Sequence, residues 1–308
     1  MWNANSVLSL VTACVASCVV ACYATHYSKK KKKKKELYFL MKKKQKKLIL
    51  KYFDIPALGE PIRALLILGG FDWEDDRVGH ERWPSLKPET RWGQVPVLAS
   101  ETGETLSQTK AICRYLAKFV VMNDETLYPC SGTDEDAYRA FEIDELLEAF
   151  EDARGKLMPT LRVADPAEKT RQRQKLFADD GEITLLLKKI DDVCGKDGHM
   201  VAHRLTLADV WCYFFLSLLK CGFLDGIPCD AVDQHKNLTR VRRTVANIPA
   251  IREHYAQQAK RNHFYAAFLL DSTDNTNNKK HSSITENNMM DNYLIENNNN
   301  NNENNNNH

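Results

Sequence analysis

Two kinds of hydrophobic pattern follow one another in this chain, and their order constrains the fold more than any other feature. Between residues 47 and 122 the apolar residues come in short runs rich in branched and aromatic side chains, which is typical of buried strands. From Asp134 to about Arg261 they recur only at helical spacing. The sequence therefore predicts an α/β domain over residues 47–122 and an all-α domain over residues 132–270.

The first domain begins with Leu48–Phe53, a short apolar and aromatic run that predicts a strand. Glu60-Pro61 then opens a helix, because proline suits the first helical turn and a carboxylate suits the positive end of the helix dipole. The remaining segments are a strand within 71–78, a hairpin of strands at 95–98 and 104–106, and a helix from Ser107 to about Phe119. The order β-α-β followed by β-β-α is that of a thioredoxin-like fold.

The second domain shows no strand-like alternation from Asp134 onward. Its helical patterns cover residues 134–156, 167–194, 210–219 and 249–261. Before the third of these, Thr206 and Asp209 have the spacing of a capping box, in which the side chain of each residue bonds the backbone N–H of the other. We expect this pair to define where the third helix begins.

The two ends of the chain have compositions unlike those of a globular protein. Val7–Tyr23 is uncharged and mostly apolar, and with its flanks it reaches about 20 residues, near the minimum that spans a bilayer. The lysines that follow, within 28–46, favour an uncleaved signal anchor over residues 1–27, with the lysine-rich stem on the cytosolic side. A cleaved signal peptide and a buried helix are the alternatives. The asparagine-rich tail over 271–308 predicts disorder.

Net charge says little about the partners of the folded body. Lys and Arg number 43 and Asp and Glu number 41, so the net charge is only +2. Much of the positive charge lies in the lysine-rich stem, which leaves the folded body acidic. The stem predicts a self-repelling linker or a contact with anionic lipid, and we expect no nucleic-acid partner.

The nine cysteines form no disulfide framework and include no CxxC pair. This usage is typical of a reducing compartment. His199 and His203 lie four residues apart, as metal ligands on a helix would. Gly195 and Gly198 place them in a loop instead, so the sequence predicts no metal site.

Five motifs, taken in order, resemble the glutathione transferases. They are Tyr52-Phe53 at the end of the first strand, Leu58–Arg63, Trp83–Lys87, Gly93–Leu98 and Ser107-Gln108-Thr109. The capping segment Leu205–Asp209 is similar to one in the helical domain of that family. The resemblance covers residues 47–270 and is strongest to the cytosolic sigma class, with the membrane anchor as an addition at the N-terminus.

The resemblance implies a role for each motif. Tyr52 would be the catalytic hydroxyl, and glutathione would be the co-substrate, with no permanently bound cofactor. Glutathione would be held by Trp83 and Lys87 at its glycine end, by Gln94 and Val95 before a cis peptide bond at Pro96, by Gln108 and Thr109 at its γ-glutamyl end, and by Glu148 of the partner subunit. The family also implies a homodimer, and Asp144 is the alternative to Glu148.

Two residues depart from the pattern of the sigma class. Leu58 occupies a position where relatives often carry arginine, and Thr109 replaces the more usual serine while keeping a hydroxyl. Some members of the family carry an apolar residue at the position of Leu58. A free thiol with a pKa of about 8.5 is only a few per cent thiolate at pH 7. A hydrogen bond from the Tyr52 hydroxyl and the positive end of the following helix would favour the thiolate.

These features predict an enzyme that conjugates glutathione to small electrophiles. One alternative is a glutathione-dependent isomerase or peroxidase similar to prostaglandin D synthase, and another is a catalytically idle domain that serves as a scaffold. With the anchor in place, the catalytic body would face the cytosol. If the anchor is cleaved, the protein would be cytoplasmic or delivered to an organelle.

Overall fold

The computed structural model describes residues 47–101 and 103–270. The signal anchor predicted over 1–27, the lysine-rich stem over 28–46 and the asparagine-rich tail over 271–308 lie outside the described residues. Within the described part of the chain, no helix combines the length and the apolar character needed to cross a bilayer.

A four-stranded mixed sheet comes first. Its strands are β1 (Leu48–Phe53), β2 (Trp73–Val78), β3 (Val97–Ser100) and β4 (Thr105–Ser107). They lie in the order β2-β1-β3-β4, with β2 parallel to β1 and with β3 antiparallel to both β1 and β4. Three helices complete this half: α1 (Glu60–Leu68), α2 (Trp83–Leu86) and α3 (Thr109–Ala117). The predicted thioredoxin-like fold is confirmed.

Helix α1 forms where its start and stop signals predict. Pro61 occupies the first turn, where its missing N–H leaves no hydrogen bond unmade. Ile62, Leu65 and Leu66 are buried in the hydrophobic core. The helix ends at Gly69-Gly70, and Gly70 has a φ of 58°, a left-handed conformation that glycine adopts without a Cβ clash.

Helices build the second half. They are α4 (Asp134–Leu157), α5 (Pro166–Leu176), α6 (Glu182–Val193), α7 (Leu207–Lys220), α8 (Lys236–Ala246) and α9 (Pro249–Arg261), followed by a 3₁₀ helix at His263–Phe268. Every residue of α7 from Leu207 to Leu219 is buried, because α4, α8 and α1 all pack against it. The capping box at Thr206 and Asp209 is present, as predicted. The all-α prediction for this half is confirmed.

The helical pattern over 167–194 corresponds to two helices, not one. The chain turns between α5 and α6, where a Cβ on Gly181 would come within 2.4 Å of the carbonyl oxygen of Leu176. Helix α8 is absent from the predicted elements. Its buried residues Leu238, Val241 and Val245 have helical spacing, but the segment between them is rich in charge.

Two smaller differences concern the first half. Ser107 ends β4 and does not open the next helix, whose first residue is Thr109. A short hairpin, β5 (Val121–Met122) and β6 (Glu125–Thr126), follows α3. Strands of two residues are too short to leave an alternating pattern in the sequence.

Candidate functional site

The hydroxyl of Tyr52 lies where β1 gives way to the loop that leads into α1. The side chain is buried, with only 2% of its surface exposed. The backbone N–H of Leu58 donates to the Tyr52 hydroxyl oxygen at 3.0 Å. A hydroxyl oxygen that accepts in this way still has its own proton to donate. Gly59 allows this geometry, because a Cβ there would come within 2.3 Å of the Tyr52 ring.

Burial keeps the Tyr52 phenol in its neutral, protonated form. Loss of solvent raises the pKa of the phenol above its usual value, and the positive charge of Arg63 opposes that shift only in part. The Arg63 guanidinium carbon lies 5.7 Å from the centre of the Tyr52 ring. The phenol therefore stays protonated at physiological pH and can donate a hydrogen bond to an anion.

A second part of the candidate site is the edge formed before β3. The Val95–Pro96 peptide bond is cis, as the resemblance implies. Gln94 precedes it, and its backbone N–H donates to the Thr90 hydroxyl at 3.0 Å. The Gln108 side-chain amide lies 3.5 Å from the Gln94 side-chain oxygen, which brings this edge close to the start of α3.

The start of α3 has the features of an anion-binding helix N-terminus. Gln108 is the N-cap residue with a φ of 72°, a left-handed conformation that is strained for a residue with a side chain. Within residues 47–101 and 103–270, no side chain caps the helix there. The first backbone N–H groups and the helix dipole both favour a negatively charged group. Thr109 is buried at the first helical position.

Trp83 and Lys87 lie on the segment that follows β2. The indole of Trp83 is buried and packs edge-to-face against Phe53, with ring centroids 5.3 Å apart. Its Nε1 has no hydrogen-bond partner among residues 47–101 and 103–270. Lys87 is half-buried at the start of the 3₁₀ helix Lys87–Glu89 that follows α2.

Glu148 lies on the exposed side of α4 and is engaged within its own chain. Its carboxylate contacts the Lys110 ammonium at 2.5 Å and the Arg114 guanidinium at 3.3 Å. Asp144, one turn earlier, accepts from Arg114 at 2.7 Å and from the Tyr128 hydroxyl at 2.9 Å. The contact of Glu148 with a partner subunit stays a prediction.

A buried polar network next to Tyr52 was not predicted from the sequence. Arg63 forms an ion pair with Glu60 and donates from Nε to Asp75 at 3.1 Å, while the Tyr255 hydroxyl donates to Glu60 at 2.7 Å. Burial raises the pKa of Glu60, and Arg63 and Tyr255 oppose the shift. The spacing of Glu60 and Arg63 on α1 was a usable signal. Asp75 and Tyr255 come from distant segments, so no local sequence pattern marked them as members of this network.

His199 and His203 lie in the loop before α7, as predicted. His203 Nδ1 lies 2.7 Å from the Asp197 carboxylate, and His199 Nδ1 lies 3.8 Å from that of Asp209. Across residues 47–101 and 103–270, no group of three His, Cys, Asp or Glu side chains has metal-site geometry.

Comparison with known proteins covers both halves of the chain. The family model described as glutathione S-transferase, N-terminal domain, matches residues 49–118, and the one described as glutathione S-transferase, C-terminal domain, matches residues 151–258. The chain is 31% identical over 218 residues to glutathione S-transferase 1 of Ascaris suum, which covers 68% of this chain and 96% of that protein.

A second relative and one solved structure are also similar to this chain. The chain is 30% identical over 182 residues to a glutathione S-transferase of Anopheles gambiae, which covers 58% of this chain and 83% of that protein. Among solved structures, prostaglandin synthase D of Nilaparvata lugens is similar, with a TM-score of 0.59 and 26% identity over 69% of this chain and 98% of that one.

Proposed function

Since this chain belongs to the glutathione S-transferase family, we propose that it binds glutathione as a thiolate at Tyr52 and conjugates it to small electrophiles. Glutathione is the co-substrate, and the chemistry needs no permanently bound cofactor. In the reaction, the sulfur forms a bond to an electrophilic carbon. The leaving group departs with the electron pair of the bond that breaks, and the thiol proton goes to solvent.

The observation that carries this proposal is the buried Tyr52 hydroxyl, whose oxygen accepts the Leu58 N–H and whose proton is left to donate. A hydrogen bond from a neutral hydroxyl favours a thiolate over a thiol. Lowering the thiol pKa from about 8.5 to about 6.5 requires ~2.7 kcal/mol. One charge-assisted hydrogen bond and a nearby helix N-terminus, that of α1, supply interactions of this size.

The remaining site residues suit the parts of glutathione. The Trp83 indole N–H, which meets no acceptor among the described residues, and the Lys87 ammonium suit the glycine carboxylate. The backbone of Val95 suits the cysteinyl peptide, and the uncapped start of α3 suits the γ-glutamyl carboxylate. In this proposal the ligands of glutathione are Trp83, Lys87, Gln94, Val95, Pro96, Gln108 and Thr109, joined by Glu148 of the partner subunit in a sigma-class-like homodimer.

Replacement of Tyr52 by phenylalanine tests the proposal. We expect Tyr52→Phe to lower kcat by about tenfold or more, the value of one hydrogen bond to a charged group, with little change in glutathione affinity. Tyr138→Phe is the matched control, because Tyr138 is exposed on α4. Equal turnover by Tyr52→Phe and the wild type would remove this mechanism. Wild-type protein that binds glutathione without conjugating any electrophile would instead be an idle scaffold.

A second candidate function is glutathione-dependent isomerisation. It is favoured by the similarity to the prostaglandin synthase D of Nilaparvata lugens. The sulfur of the Tyr52-bound thiolate would bond to one oxygen of a cyclic peroxide as the O–O bond breaks, and the other oxygen would take up a proton. Loss of a proton from the carbon that carries the sulfur-bound oxygen would then form a carbonyl group and break the S–O bond, so the thiolate would be released and glutathione would not be consumed. Measurement of glutathione consumption with a prostaglandin endoperoxide and with an aryl halide separates the two functions.

We further propose that residues 1–27 tether the protein to a membrane, with the lysine-rich stem and the catalytic body on the cytosolic side. The basis is the apolar run followed by lysines. A fusion of the full chain should sediment with membranes, and deletion of residues 1–27 should release it. Full-length protein in the soluble fraction would overturn the tether. A shortened chain in the cytoplasm or an organelle would favour a cleaved leader.

A further inference from the structure

A small cavity lies between the sheet and the segment that follows α2. Its volume is about 70 Å³, several times the roughly 10–15 Å³ that one water molecule needs. Leu86, Val97 and Ala99 form the apolar part of its lining. A polar group of about five non-hydrogen atoms therefore fits inside it.

The rest of the lining is polar and comes from three segments of the chain. Its residues are Lys51 of β1, Glu89, Thr90 and Arg91 before β3, and Thr105 and Ser107 of β4. Among these described residues, two side chains are cations and one is a carboxylate. The lining therefore has a net positive charge.

Lys51 lies on the opposite face of the sheet from Tyr52, because neighbouring residues of a strand alternate between its two faces. Across the sheet, Lys51 pairs with Asp76 on β2 and with Val97 on β3. Val97 in turn pairs with Ser107 on β4. The sheet thus separates the cavity from the ring of Tyr52.

The half-buried ammonium of Lys51 has no close partner in the described part of the chain. Asp76, the acid beside it, already receives Arg82 Nη1 at 2.5 Å and Arg82 Nη2 at 2.6 Å. The hydrogen bond from Arg82 lowers the pKa of Asp76, and Lys51 adds to that effect only through its charge. Across residues 47–101 and 103–270, Lys51 makes no hydrogen bond or ion pair.

Other donors that line the cavity are also unused. The side chains of Arg91, Thr105 and Ser107 make no hydrogen bond or ion pair within the described residues. The Thr90 hydroxyl, by contrast, is engaged by backbone groups at 2.9 and 3.0 Å. Two cationic and two hydroxyl donors thus line one small space with their hydrogen-bonding capacity unused.

We propose that this cavity binds a phosphate group, held chiefly by Lys51. A tetrahedral oxyanion of five non-hydrogen atoms matches the volume, and it accepts hydrogen bonds from donors on several sides at once. Glu89 weakens the attraction by its negative charge. The inference does not depend on the proposed function, because it concerns a different face of the sheet.

Stabilisation of the folded chain by inorganic phosphate tests the assignment. A ligand that binds only the folded state raises the free energy of unfolding, and the size of the rise gives its Kd. Urea unfolding of the full chain is measured at increasing phosphate, with sodium chloride at equal ionic strength as the reference. Phosphate that the lysines of residues 28–46 bind in the unfolded chain as well contributes nothing to this rise.

Two variants should shift the phosphate Kd in opposite directions. Lys51→Met should raise it about tenfold or more, the value of a hydrogen bond to a charged group. Glu89→Gln should lower it about two- to fivefold, because it removes an opposing charge at an exposed position. Lys188→Met is the matched control with an unchanged Kd, because Lys188 is an exposed lysine on α6.

Two further measurements identify the source of the phosphate group and its place. Glycerol 3-phosphate that stabilises the chain as inorganic phosphate does would assign the terminal phosphate of a larger molecule. Stabilisation by inorganic phosphate alone would assign the free ion, and either result supports the site. Saturating glutathione should leave the effect of phosphate in place, whereas its loss would put phosphate in the glutathione site and overturn the inference.

The remaining outcomes also decide the question. Phosphate that stabilises the wild type no more than chloride does would overturn the inference, as would a wild-type Kd in both Lys51→Met and Glu89→Gln. If Lys51→Met fails to fold, the tighter binding expected of Glu89→Gln still tests the site. Conjugation enters none of these measurements, so the proposed function is decided separately by Tyr52→Phe.

Discussion

At the scale of the residue, two buried polar atoms near the end of β1 differ in their hydrogen bonding. The Tyr52 hydroxyl receives the Leu58 N–H, whereas Trp83 Nε1 meets no acceptor among the described residues. A buried donor without an acceptor costs ~1–3 kcal/mol. In the proposed complex a bound carboxylate would relieve that cost, so the indole would stabilise the complex more than it stabilises the free protein.

We therefore expect Trp83→Phe to weaken glutathione binding by about tenfold or more, since a hydrogen bond to a charged group contributes ~1.5–3 kcal/mol. Isothermal titration calorimetry measures the change in Kd. Trp73→Phe is the control, because Trp73 pairs with Leu48 at the far end of β1 while Tyr52 pairs with Arg77. Equal affinity in Trp83→Phe and the wild type would show that the indole N–H does not bind the ligand.

At the scale of the element, α7 depends on a cap that is buried along with the helix. The Asp209 carboxylate accepts from the Thr206 N–H and hydroxyl, both at 2.7 Å, and from the Met200 N–H at 2.8 Å. Burial raises the pKa of Asp209 to about 6, against the effect of these donors. Loss of the carboxylate would leave two backbone N–H groups and one hydroxyl without this acceptor in a region that water does not reach.

Removal of this cap should destabilise the protein more than removal of an exposed one. We expect Thr206→Ala to cost ~1–2 kcal/mol and Asp209→Ala to cost ~3 kcal/mol or more, because the latter orphans two backbone N–H groups. Thr133→Ala removes the exposed cap of α4 and should cost less than ~1 kcal/mol. Urea unfolding gives the three values, and an equal loss for Asp209→Ala and Thr133→Ala would contradict the argument from burial.

At the scale of the whole molecule, a polar contact joins the sheet half to the end of the helical half. Arg77 of β2 donates to the Tyr265 hydroxyl and to the Gln258 side chain, both at 2.9 Å. Tyr255 of α9 donates to Glu60 of α1 at 2.7 Å. These bonds fix β2 and α1, which flank the end of β1 that carries Tyr52, to segments far away in the sequence.

His254 lies in this contact, and its Nε2 has no hydrogen-bond partner among the described residues. Its ring packs near Trp73, and Arg63, Asp75 and Arg77 are the charged groups that act on it. Burial, and then the Arg63 cation, lower the pKa of His254 to about 4. The unfolded chain therefore binds a proton between about pH 6.5 and 4 that the folded chain excludes.

The free energy of unfolding should therefore decrease as the pH falls from about 6.5 to about 4. His254 should account for at most about 3 kcal/mol of this decrease. His254→Gln should show a smaller difference between the free energies of unfolding at pH 7 and pH 5. His263→Gln replaces an exposed histidine and is the matched control. Urea unfolding at the two pH values measures it, and an unaltered difference in His254→Gln would exclude His254 as the acid-sensitive group.

Much of the fold could be predicted because its signals are local. The strand β1, the start of α1 at Glu60-Pro61 and the capping box before α7 each depend on residues within a few positions of one another. Helix α8 could not be predicted, because its short apolar stripe lies among charged residues. The stripe becomes a core face only when α7 packs on it. In the candidate site, Tyr52 and Val95-Pro96 were identified by their motifs, not by spacing alone.

By itself, the sequence determined the succession of an α/β half and an all-α half, the positions where α1 and α7 begin, and membership of the family, because these follow from short-range periodicity and motif order. Only the tertiary structure decided that Trp83 Nε1 is buried without an acceptor among the described residues and that Glu60, Arg63, Asp75 and Tyr255 form one polar network. Burial and electrostatic potential arise from residues distant in the chain, so no local pattern records them.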